Sequence, residues 1–138
     1  MKKYVKHFEM FPFEIEEPAE GITKQFVLRE PDGAVRDDYL NKLSQRVKVE
    51  ADGTTRRVSD FKDFQSELIQ ACMFHAKIGP NDEILSVGSQ VDLKYVNGLP
   101  GRIVAELYEE ARQIARVKKA EAEAEAKNDF SEETSSGG

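Results

Sequence analysis

The stretch Leu99–Val117, LPGRIVAELYEEARQIARV, constrains the fold of this chain more than any other. Pro100 suits the first turn of a helix, where its missing N–H costs nothing and its φ is already near helical. Ile103, Val104, Leu107, Tyr108, Ala111 and Ile114 then recur at three- and four-residue spacings. Arg102, Glu106, Glu109, Glu110, Arg112 and Arg116 fill the other side. This is an amphipathic helix with one face to bury, and the remaining sequence has to supply what covers it.

A chain of 138 residues is expected to hold one domain with a tail, and is long enough for a core without staples. We read residues 1–117 as the domain and 118–138 as a polar helical extension and disordered tail. The net charge of −6 is divided equally between them, and no basic stripe offers itself to phosphates, so duplex nucleic acid is not an expected partner. The single Cys72 leaves no internal disulfide to form and fits a reducing cytoplasm. Apolar runs are only a few residues long, so no membrane span is expected, and His7 and Glu9 interrupt the N-terminal segment where a signal peptide has its apolar middle.

Residues 4–16, YVKHFEMFPFEIE, alternate with apolar side chains on both faces: Phe8, Met10 and Pro12 on one, Phe11, Phe13 and Ile15 on the other. Pro12 cannot donate to a ladder and belongs at an edge or bend. Pro18–Gly21 is turn chemistry, and Ile22–Leu28 is the second arm of an N-terminal hairpin. Asp32 is placed to cap a helix over 33–46, with Val35, Tyr39, Leu40, Leu43 and Val47 as its stripe. Asp52-Gly53 between short charged β-prone runs signals a small surface hairpin. Ser59 or Asp60 would cap a helix over 60–76 whose stripe is Phe61, Phe64, Leu68, Ile69, Cys72 and Met73. Gly79–Asp82 ends that helix, Ile84–Val87 is too short to classify, and Ser89–Val96 reads as a two-turn helix closed by Asn97-Gly98. The last helix would run on, solvated, through KKAEAEAEAKN. The expected fold is α+β, mainly α: three main helices plus a short one, an N-terminal β-hairpin, a small surface hairpin and a disordered tail.

The catalytic inventory is thin. The sequence has no dinucleotide or P-loop glycine pattern, no H-E-x-x-H and no EF-hand spacing around Asn81, Asp82 and Glu83. His7 and His75 fall on unrelated elements, and Cys72 sits on a buried stripe without a base at motif spacing, as a small core hydrophobe would. Asp60, Asp63, Glu109 and Glu110 read as capping and solvated-face carboxylates. No catalytic residue, metal or cofactor is expected. Binding remains, and the candidate contact residues are Phe8, Phe11 and Phe13 on the N-terminal strand with Leu107 and Tyr108 on the last helix. Such a pair of elements suits a helix-in-groove contact.

The order of motifs resembles the tail assembly chaperones of long-tailed bacteriophages. It comprises Val27-Leu28-Arg29-Glu30 leading to a helix, the small hairpin, Asp60-Phe61 with Gln65, Leu68 and Cys72, and Leu99-Pro100 with Val104, Leu107 and Ala111. The similarity spans about residues 22–117, and the Phe-rich 4–16 segment has no counterpart in it. The resemblance implies a non-enzymatic late protein of the host cytoplasm that binds the tape measure protein, keeps it soluble, and is shed as tail tube subunits polymerise. It also implies a longer form, made by programmed frameshift, that recruits the tail tube protein; self-association is a further expectation. The alternative is a structural tail or neck connector retained in the virion. An enzyme and a small host regulator rank below both, for want of a site and of a basic recognition helix.

Overall fold

A computed structural model describes residues 1–44, 47–49, 52–53, 55–57 and 63–117. Alternating side chains and the Pro18–Gly21 turn give the N-terminal hairpin, β1 (Met10–Glu17) with β2 (Ile22–Arg29), paired antiparallel from Met10↔Arg29 to Glu17↔Ile22. Gly21 takes φ 67, the left-handed conformation that glycine enters without a Cβ penalty. Residues 4–9 of the expected strand lie outside β1 and are all exposed.

Asp32 caps α1 (Gly33–Ser44) as expected: the Val35 N–H donates to Asp32 Oδ1 at 2.8 Å. Tyr39 and Leu43 are its buried residues, whereas Val35 stays exposed. The Asp-Gly hairpin is present as β3 (Val47–Val49) against β4 (Thr55–Arg57), with Gly53 at φ 89 in the reversal.

The largest departure from expectation comes next. The helix α2 covers only Phe64–Cys72, and Met73–Ile78 is a strand, β5. The expected cap at Ser59 or Asp60, and Phe61, fall outside the described residues. Leu68, Ile69, Cys72, Met73 and Ala76 fit a helical period, but Phe74, Ala76 and Ile78 also fit a strand period against His75 and Lys77. Tertiary pairing decides between them. Met73, Phe74 and His75 sit opposite Leu28, Val27 and Phe26, giving the central strand β2 its second neighbour and its backbone groups their partners. Gly79–Glu83 is consequently a hairpin turn: the Gly79 N–H donates to Glu83 O at 2.8 Å and the Asp82 N–H to Gly79 O at 3.1 Å. The unclassified Ile84–Val87 belongs to β6 (Ile84–Gln90), so the expected two-turn helix shrinks to α3 (Leu93–Asn97). The sheet order is β1-β2-β5-β6, antiparallel throughout, a larger β component than "mainly α" allowed.

The last helix, α4, runs from Gly101 to Ile114. It does not run on. The Arg116 N–H donates to Gln113 O and the Val117 N–H to Arg112 O, with Arg116 itself at φ 58: a Schellman closure with arginine where glycine is usual. Val117 and Ala115 are buried, and Arg36 of α1 donates Nε to Ala115 O at 2.9 Å and Nη2 to Arg116 O at 2.8 Å. A cation at a helix C-terminus also complements the dipole there. The expected helical extension and tail, 118–138, lie outside the described residues.

Helices α2 and α4 pack on one face of the sheet. Ile15, Phe26, Leu28 and Met73 point into a core shared with Leu68, Ile69, Cys72, Leu107, Tyr108, Ala111 and Ile114. Phe26 is its centre, fully buried, with the Phe13, Tyr95 and His75 rings at 5.5, 5.6 and 5.4 Å. Val27 points to the opposite face, between Pro12 and Phe74, where the Arg29 guanidinium lies 4.0 Å from the Phe74 ring.

Candidate functional site

The strand β1 is an edge of the sheet, and α4 lies alongside it, so the two leave a groove between them. Its volume is about 680 Å³. Phe11, Phe13, Ile15, Ile103 and Leu107 line it with apolar surface, because odd positions of β1 and one flank of α4 face each other. Glu14, Glu16, Glu106 and Glu110 stand among them, with Arg102 the only base among the described residues that line it. The floor is therefore apolar and the rim negative.

The groove continues past Pro18 into a second depression of about 650 Å³ that shares Ile15, Glu16, Arg102 and Ile103 and adds Tyr95, Leu99 and Pro100. At this end the Tyr95 hydroxyl donates to Glu17 Oε2 at 3.0 Å, and Lys24 Nζ lies 3.4 Å from the same carboxylate and 4.8 Å from the Tyr95 ring. Burial, then the hydrogen bond and negative charge of Glu17, push the Tyr95 phenol up to about 12. It stays a neutral donor throughout the physiological range. At the other end the groove narrows beside Glu9, Met10, Gln113 and Arg116, where the Arg116 guanidinium contacts both Glu9 carboxylate oxygens at 3.0 Å.

Three of the five candidate contact residues meet here: Phe11 and Phe13 half-buried on the strand, and Leu107 buried on the helix. The other two lie elsewhere. Tyr108 is one position round the helix and points into the core, edge-on to Phe64 at 5.7 Å. Phe8 precedes β1, half-exposed, with the Arg29 guanidinium 5.6 Å from its ring. Ile103 and the four carboxylates were not among the contact residues expected from the sequence, where Ile103 counted as core stripe and Glu106 and Glu110 as the solvated side of the helix. The signal for them was the junction of two faces, which no single amphipathic pattern shows.

Cys72 is fully buried, and burial pushes its thiol up to about 12, so the folded chain holds it protonated and inaccessible. His7 and His75 are exposed on separate elements. Among the described residues no three His, Cys, Asp or Glu side chains come together as a metal site would need, and no helix is long and apolar enough to cross a membrane. A smaller groove of about 470 Å³ between α1 and α2 is lined by Ala34, Val35, Tyr39, Ala71 and Leu93 together with Asp38, Lys42, Glu67, Gln70 and Gln90, and contains none of the five candidate contact residues. No protein-family model, curated protein or solved structure matches the chain, so the site rests on its own residues.

Proposed function

We propose that this chain is a phage tail assembly chaperone. It holds amphipathic helical segments of the tape measure protein in the groove between β1 and α4, in the host cytoplasm, and is released before the virion is complete. The tail tube protein would be recruited through a longer frameshifted form. The observation that carries the reading is the groove itself: an apolar floor of Phe11, Phe13, Ile103 and Leu107 inside a rim of Glu14, Glu16, Glu106 and Glu110. The motif order over residues 22–117 supports it independently.

The eight residues of β1 span ~26 Å, the length of a helix of about 17 residues. A client helix of that length, with an apolar stripe flanked by Lys or Arg, would match both floor and rim. An open groove of this kind favours exchange over permanent retention, as a chaperone requires.

Co-expression with the tape measure protein tests the reading. Glu106→Arg with Glu110→Arg reverses the rim while leaving the core intact, and Phe11→Ser removes floor. Loss of the co-purifying client with both folded variants is expected. Retention of the client at wild-type yield by both would refute the assignment. Tyr108 is unsuitable for this test, because its substitution removes core packing.

A further inference from the structure

Residues 1–8, MKKYVKHF, form an arm that touches the domain at its last residue, where the Phe8 ring meets the Arg29 guanidinium. Every residue of the arm is exposed, with Tyr4 at 80% and Val5 at 79%. Among the described residues, the hydrogen bonds and ring contacts from Met1 to His7 are internal to the arm: the His7 N–H donates to Val5 O, and Lys2 Nζ lies 5.3 Å over the Tyr4 ring. The root of the arm, by contrast, is fixed. The Glu30 N–H donates to Glu9 O at 2.8 Å, the Glu9 N–H donates to Glu30 Oε1 at 3.0 Å, and Arg116 grips the Glu9 carboxylate. None of residues 1–8 is among the described residues that line the groove of the same chain.

Tyr4 and Val5 are neighbours held out in water on a rooted arm, and Phe8 at its base is half-exposed, an apolar surface that a second surface would cover. The chemistry of the arm is complementary to that of the groove. Lys2, Lys3 and Lys6 stand among the apolar residues with no acidic residue before Glu9, while the groove sets four carboxylates against one arginine. The lengths also agree: eight extended residues reach ~26 Å, the span of β1.

We propose that two copies of this chain exchange arms, each laying residues 1–8 along the β1–α4 groove of the other. The apolar side chains of the arm cover Phe11, Phe13 and Ile103, and its lysines face Glu14, Glu16, Glu106 and Glu110. The exchange is two-fold symmetric and closes at the dimer. It rests on the reading of the groove as a docking surface and adds regulation to it: arm and client compete for one site, so the exchanged dimer keeps the groove covered until a client displaces the arm.

Sedimentation velocity of the full chain at low salt tests this, with a doubling of the 15.6 kDa monomer mass expected. The ion pairs are surface-exposed, so 0.5 M NaCl should shift the dimer toward monomer. A variant with Lys2→Glu, Lys3→Glu and Lys6→Glu should be monomeric at low salt, as should a second with Glu106→Lys and Glu110→Lys. Mixed, these two variants should form a heterodimer, since each arm then meets a groove of opposite charge. A wild-type monomer at every concentration, a dimer insensitive to both reversals, or a mixture that stays monomeric would each overturn the exchange. Client co-purification, scored separately, keeps the two readings apart. A monomeric wild type that retains the client sinks the exchange alone, and charge-paired dimers in a chain that captures no client sink the chaperone reading alone.

Discussion

Raising the pH should lower the stability of this protein through a single buried atom, Cys72 Sγ. In the folded chain burial raises this thiol from 9.0 to about 12. Its surroundings are apolar, with Leu68, Ile69 and Met73 beside it in sequence and in the core. The unfolded thiol keeps its ordinary value, so above pH 9 the unfolded state loses a proton that the native state retains. The native state then binds more protons, and stability falls as pH rises. At pH 10 the unfolded thiol is mostly ionised and the native one hardly at all, which removes roughly 1.4 kcal/mol relative to pH 7. Lysines and tyrosines titrate in the same range, so the contribution of the thiol has to be isolated. Cys72→Ala does this: it lowers stability at every pH by about 1 kcal/mol for the small void, but removes the pH-dependent loss. Urea unfolding followed by far-UV circular dichroism, in the presence of a reductant, should show wild-type stability falling between pH 7 and pH 10 by about 1.4 kcal/mol more than that of the variant. Parallel pH curves for the two proteins would show that the thiol is not buried as described.

Three further outcomes follow from the packing. Phe26→Ala empties the centre of the core and should cost about 3–5 kcal/mol, measured by denaturant midpoint, with Phe26→Leu losing much less; equal losses would place Phe26 outside the core. Asp82 holds φ 60 in the β5–β6 turn, so Asp82→Gly should raise stability by about 0.5–1 kcal/mol, visible as a higher thermal midpoint. Arg36→Met removes both donors from the end of α4 and should cost about 1–2 kcal/mol, with hydrogen exchange at Ala115–Val117 accelerated ahead of the rest of the helix.

The elements that could be read in advance were those whose own residues settle the matter. Asp32 before α1, Pro18–Gly21 between β1 and β2, Asp52-Gly53 in the small hairpin and the stripe of α4 each carry local chemistry with one good solution. The stretch Leu68–Ile78 carries two, a helix that continues and a helix that stops, and nothing within it chooses. The choice is made by β2, whose buried Phe26, Val27 and Leu28 require a strand on their second side. The groove was half legible: Phe11, Phe13 and Leu107 follow from amphipathic faces, while Ile103, the acidic rim and the removal of Tyr108 to the core depend on the angle at which α4 meets the sheet.

By itself, then, the sequence determined which segments have a face to bury, where most turns fall and that α4 anchors the domain, because turn chemistry and periodicity act over a few residues. Only the tertiary structure decided that Met73–Ile78 is a strand, that α4 closes at Val117 under Arg36, and that β1 and α4 stand apart enough to leave an acid-rimmed groove. Those outcomes depend on hydrogen bonds and contacts between residues distant in the chain, which local pattern does not encode.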